Sequence, residues 1–578
     1  IAKGNVLNNG TIEGGSGSSF VMRGASLVNN GAITINNLRF DSTTALSGTG
    51  TYTSNAITIN AAGNVSLSNN ITFAPTSSFT INAGGVFDPT NIFTFENGTF
   101  SLSNGGTVLN SGTFRTRDTV TVLVRPVSNF RAPFNVSDGV TTLYDQSGPF
   151  NAPMYGTITV DAGAVLAGGP GGYTITAYDN VINEGSIIGG SSTSFTMKGA
   201  SFLNNGLITI TNLNFDSTTA VSGSGVFSST NTYINSTGIV SLSNDITFTP
   251  VTTFTVNSGG ILDPNGNIFT LSTAKFLLNP GGTVANSGTF RTQDTVIVNI
   301  RNGSSFNCAL NINSGLTTLY DPSGPFISTL FGTLTVDAGA ALAGGPGGYY
   351  IFAMNTVTNN GTIQGSSSTS FVMKGPDMIN NGLVSIPTMR FDSTTTLSGT
   401  GTYTSTAMII NPTGNVSLTS DMNFAPASSL TVNNGGILNL NTYILTFSSA
   451  TLLVNNGATI VNSGLLKTTG AVILDIRNTA NFNVPLNIES GTNTTYSAAG
   501  PFVSSLNGPV TVDSGAVWQG ASGGYTININ NDITNNGTIT GNVSEMNFIG
   551  TNLINNGSIL VNVFNFESGN HTLQGTGS

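Results

Sequence analysis

The chain has 578 residues, of which only 7% are charged, with 73 glycines, one cysteine, one histidine and a net charge of −10. So thin an acidic charge leaves no basic patch to neutralise phosphates, which excludes nucleic acid as a partner. No apolar stretch approaches the ~18 residues that cross a bilayer, so no membrane span is expected in this segment.

In chain order, the first signal is Leu7–Ile12, where Asn8-Asn9-Gly10 closes a turn ahead of Thr11-Ile12. A second Asn-Asn-Gly turn closes at Gly31, 21 residues on. Ala32–Asn36 then alternates, with Ile33 and Ile35 on one face. Phe40-Asp41-Ser42 follows, and glycines 63, 84, 105 and 112 each border another short run. Phe79 and Ile81 share a face, as do Val120, Val122 and Val124, and then Ile158 and Val160. Period-two runs of β-branched residues punctuated by Gly and Asn read as strands and turns. No 11-residue stretch carries a helical stripe, and Lys, Glu and Arg are scarce. Gly168–Tyr173 closes the module with a glycine-rich corner.

Everything then repeats. Gly10 returns as Gly185, Gly361 and Gly537, at steps of 175, 176 and 176 residues. Phe40-Asp41-Ser42 returns as Phe215-Asp216-Ser217, Phe391-Asp392-Ser393 and Phe566-Glu567-Ser568. Arg125, Arg301 and Arg477 are in phase, as are Tyr144, Tyr320 and Tyr496. The repeats are 1–175, 176–351, 352–527 and a partial fourth, 528–578. The chain starts at Ile1 without an initiator Met or signal peptide and stops within its fourth copy, so both ends read as cuts through a longer chain. Conservation of module length points to a stacked array, where an insertion shifts the register of everything beyond it.

Short strands every 6–10 residues, with a turn pattern returning about every 20, predict an all-β right-handed parallel β-helix or related β-solenoid. At the spacing of paired strands, a module of eight or nine circuits measures about 40 Å and the whole window about 130 Å. Asn at the turns is expected to bridge successive coils through its amide while tolerating left-handed dihedrals. The competing architecture is a string of β-sandwich domains. It is disfavoured by the unbroken, strand-like boundary at Gly172–Thr176 and the lack of charged or Pro-rich linkers.

The Asn-Asn-Gly-Thr-Ile elements at Leu7–Ile12, Val357–Ile363 and Ile533–Ile539 resemble those of β-helical bacterial surface proteins, namely autotransporter passengers and filamentous-haemagglutinin-type adhesins. The resemblance implies an exported, elongated β-helix used in adhesion or surface structure. The superperiod is stricter than such passengers show, which favours a fibre-forming role. No catalytic or ligand residue carries over.

Candidate chemistry is sparse. Asp161, Asp337 and Asp513 recur, whereas Asp88 and Asp263 become Asn439, Asp118 and Asp294 become Gly470, and Asp145 and Asp321 become Ser497. Paired carboxylates serve glycosidic acid/base chemistry, but an active site need occur only once; these read as turn-forming aspartates, and no enzyme is expected. No cofactor is expected. His571 has no counterpart, the calcium nonapeptide pattern is missing, and scattered Asp and Asn turns are the only oxygen ligands on offer to Ca²⁺. Cys308, in phase with Ala132 and Val484, reads as a small buried apolar residue.

One charge pattern is more specific. Arg23, Lys198 and Lys374 each precede an aspartate by 18 residues (Asp41, Asp216 and Asp392), close to one circuit, so inter-coil salt bridges are expected. Glu567 has lost this partner to Ile549. The glycine corners end in Tyr173, Tyr349 and Tyr525, candidates for glycan stacking or contact with a neighbouring chain. Together these readings describe an extracellular structural protein, a stalk or filament component of a prokaryotic cell surface whose main partner is itself, head-to-tail or laterally. The alternative is an adhesin that binds glycans or receptors through repeated weak contacts.

Overall fold

Alternation of apolar and small polar residues gives each run one face for a core and one for solvent, and a run of three to five residues ends wherever Gly or Asn permits a corner. Among the described residues there is no helix, 56% are strand, and the chain is a right-handed parallel β-helix of about 26 turns. The computed structural model describes residues 1–144, 151–169, 171–320, 327–345, 349–496, 503–521, 523–567 and 569–578, with 542–544 as backbone alone. The described strand pairs are parallel and stack turn upon turn, unlike the antiparallel pairing of a sandwich string. The chain divides into two compact units, Ile1–Thr289 and Phe290–Ser578.

In the first unit each turn has three strands. Val6–Asn8, Thr11–Glu13 and Ser19–Met22 begin the three faces. Ser26–Asn29, Ala32–Thr34 and Asn37–Phe40 stack on them in order, Val6 beside Leu27, Ile12 beside Ile33 and Phe20 beside Leu38. Followed along the first face, eight pairings lead from Val6–Asn8 to Thr174–Ala177. Its in-phase counterpart, Val181–Asn183, is the next strand along and stacks on Ile158–Val160 of the second face. A module is therefore eight turns plus one strand of three, and equivalent residues appear a third of a turn further round.

The second unit repeats this step. Eight stackings lead from Val357–Asn359 to Thr526–Ile529. The counterpart Ile533–Asn535 is again the following strand, seated on Val510–Val512 of the next face.

Inward residues form the core. In the first unit Phe73, Phe79, Phe87, Phe93, Phe95, Phe100, Phe114, Phe130 and Phe134 are all fully buried. Their rings meet edge-on or tilted, Phe87 on Phe93 at 4.7 Å and Phe100 on Phe114 at 4.7 Å. Burial of each such side chain contributes about 1.5–3 kcal/mol. In the second unit Trp518 is fully buried and donates its indole N–H to Thr495 Oγ1 at 2.8 Å.

The Asn-Asn-Gly element is accounted for residue by residue. Its first Asn points inward: the amides of Asn8, Asn183, Asn359 and Asn535 donate to Asn29, Asn204, Asn380 and Asn555 on the next turn at 2.6–2.8 Å. Its second Asn points outward, with Asn30 donating to Asn9 and Asn381 to Asn360, both at 2.9 Å. The glycine is a matter of clearance, since a Cβ on Gly31 would lie 1.8 Å from the Gly10 carbonyl oxygen. The inter-coil amide bridges match expectation. The left-handed backbone expected of asparagine occurs at other turns, at Asn97 (57°), Asn265 (52°), Asn441 (51°) and Asn462 (84°), alongside Asp118 (59°), Thr273 (52°) and Asp294 (60°).

Candidate functional site

Parallel stacking puts equivalent side chains of consecutive turns about 4.8 Å apart, so the outer surface is a set of ladders. Two recur in every full module and are built on its recurrent aspartates. In the first, a carboxylate ends a chain of amides. Asn60 donates to Asp41 Oδ1 and Asn82 to Asn60 at 3.0 Å. Asn235, Asn257 and Asn279 run back in the same way to Asp216, and Asn411, Asn433 and Asn455 to Asp392. The amides all point one way, and a carboxylate, which only accepts, ends the run. The Asn60 bond, aided by Arg23 and Arg39 against the opposing cost of burial, holds the Asp41 carboxyl below its usual value.

The second ladder starts from a cation. Arg115 Nε donates to Asn135 Oδ1 at 3.0 Å, and Asn135 donates to Asp161 at 3.0 Å. Arg291, Asn311 and Asp337 repeat the relay at 3.1 and 3.1 Å. In the third copy Asn487 donates to Asp513 at 3.2 Å while Lys467 pairs with Glu489 at 3.0 Å. The recurrent aspartates are thus acceptors for a neighbouring turn. The spacings of 20 and then 26 residues follow no constant period, so the sequence does not display the relay.

The three predicted ion pairs diverge. Arg23 Nη2 lies 3.2 Å from Asp41 Oδ2, one turn away. Lys198 instead sits over the Tyr178 ring at 5.2 Å, and Lys374 over the Phe352 ring at 4.8 Å. Asp216 is engaged by Asn235, and Asp392 by Asn411 and by Arg390 at 3.3 Å. The reason is local: the preceding turn supplies a ring beside each lysine, whereas before Arg23 it supplies Ile1, Ala2 and Lys3. A flexible ammonium takes the ring face, while a guanidinium fork reaches the carboxylate.

The tyrosine expectation needs correction. Tyr173 and Tyr349 are 2% and 1% exposed, and the Tyr349 hydroxyl meets Ser328 Oγ inside the coil. Both rings are enclosed by the coil, so neither offers a face to solvent. Tyr525 is half-buried against Tyr496 at 5.6 Å. Exposed rings occur elsewhere. Tyr155 and Tyr178 stack at 4.7 Å and 19°, 42% and 39% exposed, with Lys198 on the far side of Tyr178. Their in-phase residues Phe331 and Met354 are also exposed, at 47% and 38%. Tracking these positions by module phase, which gives Tyr155, Phe331 and Asn507, is the signal that finds them in the sequence.

Asp145, Asp321 and Ser497 lie outside the described residues. Cys308 is buried, and burial pushes its thiol up to about 12. His571 contacts the carbonyl oxygens of Gly550 and Glu567 at 2.8 and 2.7 Å. Among the described residues no group of three or more His, Cys, Asp or Glu could hold a metal, and no helix is long and apolar enough to cross a membrane. No protein-family model matches the chain, and no curated protein or solved structure matches it either.

Proposed function

We propose that this chain is an extracellular structural protein, a segment of a β-solenoid stalk or self-assembling filament of a prokaryotic cell surface. One observation carries the reading: the recurring charged and amide side chains are used to tie one turn to the next. Side chains spent this way supply stiffness and register; they do not converge on a reacting group. A surface rich in Ser, Thr and Asn with little charge stays hydrated and repels its neighbours weakly. Coil ends carry unpaired strand edges that a further solenoid can continue, giving an open head-to-tail array. The Asn-Asn-Gly resemblance to autotransporter passengers and haemagglutinin-type adhesins supports export from a bacterium. The test is immunogold electron microscopy of intact cells with an antibody to this segment. Label along surface fibres supports the reading, and label confined to the cell interior refutes it.

A second reading, an adhesin that meets glycans or receptors through repeated weak contacts, is favoured by the exposed Tyr155–Tyr178 stack. Loss of cell attachment on replacing both rings by Ser, with fibres intact, selects it over a purely structural role.

A further inference from the structure

In the first unit one place departs from the pattern of the copies. A cleft of about 410 Å³ opens on the second face, lined by the Gly48–Thr53 segment, Asn70–Thr72, Ala74 and Glu96. Its floor is built by register. Phe73 stacks on Tyr52 and Thr72 pairs with Thr94, so outward threonines repeat from turn to turn. Thr53 is joined to Thr34 by a hydroxyl–hydroxyl bond of 2.8 Å. Ala74, small beside Thr51, Thr53 and Thr72, leaves the dip.

One wall is Glu96. Arg117, paired with it in register on the next turn, holds its carboxylate at 3.5 Å. The strand bulges between Glu96 and Gly98, and Asn97 turns at φ 57°. The in-phase residues are Ser272 and Gln293 in the second copy, and Ser448 and Thr469 in the third. The second copy also has Thr249 in place of Ala74. Wall and dip thus come together only in the first module. Elsewhere the modules vary while keeping the ladders; here the substitution adds a charged pair that belongs to neither ladder.

We propose that this cleft binds a short neutral oligosaccharide. The polar part of the lining consists of groups that both donate and accept, the Thr49, Thr51, Thr53 and Thr72 hydroxyls and the Asn70 amide, with one carboxylate as a fixed acceptor, and glycine, Ile71 and Ala74 supply apolar surface between them. That set matches a ligand bearing alternating hydroxyl donors and acceptors. Glu96 and Arg117 cancel in charge, so an ionic ligand gains no net attraction. The cleft lies within the size range of small-ligand sites.

The experiment probes the full chain against immobilised neutral glycans (hexose and N-acetylhexosamine oligomers) beside uronate and sialylated ones. At least one neutral glycan is retained. Ala74→Tyr, which fills the dip, abolishes retention, and Glu96→Gln weakens it about tenfold by removing a charged acceptor. Ala425→Tyr, the in-phase change in the third copy, leaves retention unchanged and controls for the fold, with circular dichroism checked on every variant. Failure to retain any neutral glycan, retention that survives Ala74→Tyr, or a preference for acidic glycans overturns the proposal.

Discussion

The inner and outer asparagines of one turn make a controlled comparison. Asn380 and Asn381 are adjacent, and both bridge to the preceding turn, but Asn380 is fully buried while Asn381 faces solvent. Asn380 Oδ1 accepts from Asn359 at 2.7 Å and from the Gly382 N–H at 3.3 Å, and its amide donates to the Thr402 carbonyl at 3.2 Å. Replacement by Leu keeps the volume and removes all three bonds. Gly382 N–H retains the Asn359 carbonyl at 3.1 Å, and Asn359 retains the Leu383 carbonyl at 3.1 Å. One buried N–H of Asn359 is left stranded, at about 1–3 kcal/mol, and two further bonds are lost at about 0.5–1.5 kcal/mol each. The expected cost of Asn380→Leu is therefore about 2–6 kcal/mol. Asn381→Leu loses two solvent-exposed bonds, to Asn360 at 2.9 Å and from the Thr400 N–H at 3.4 Å, and costs less than about 1 kcal/mol. Solenoid stability is largely a sum over neighbouring turns, so the damage is local and is best read by hydrogen exchange of the amides around residues 357–403. Equal loss of protection in the two variants refutes the assignment of inner and outer ladders.

Three further outcomes follow from the same geometry. Gly382→Ala drives a Cβ to within 2.0 Å of the Gly361 carbonyl oxygen and destabilises by at least about 1–3 kcal/mol in denaturant melts, whereas Gly190→Ala, with nothing within 4 Å, stays within about 0.5 kcal/mol. Cys308, its thiol raised to about 12 by burial, gives no reaction with a thiol reagent at neutral pH in the native protein and a full equivalent once unfolded. Asp41 has a lowered folded value, so its stabilisation is present above the unfolded value of 3.8 and is lost as pH falls through the folded one. Hydrogen exchange in the first three turns should therefore separate wild type from Asp41→Asn at neutral pH and bring the two together in acid.

Much of this was legible because a solenoid turns sequence period directly into spatial neighbourhood. The Gly10 series gave the module, the alternating runs gave the strands, and the Asn-Asn-Gly turns gave the amide bridges. The 18-residue interval brought Arg23 to Asp41 because that turn is 18 residues long, Phe20 lying beside Leu38. What stayed hidden depends on the third dimension. Lys198 and Lys374 choose rings on the preceding turn, which no 18-residue interval reveals. Tyr173 and Tyr349 follow a glycine corner, and whether the first residue after a corner enters the core is decided by strand register. The relay from Arg115 through Asn135 to Asp161 spans turns of unequal length, so no fixed period connects it. The extra third of a turn per module depends on which strands stack on which, and the module period does not carry that.

That step is the most direct handle on the account as a whole. Cryo-electron microscopy of the native surface material, with the mass of the full-length chain in hand, measures the rise and rotation from module to module. The expected result is fibres with a rise of about 40 Å per module, from the spacing of stacked strands, and in-phase features turned by about a third of a turn after correction for the twist of the coil. Separate beads joined by linkers, or in-phase features that recur on one face, would contradict it.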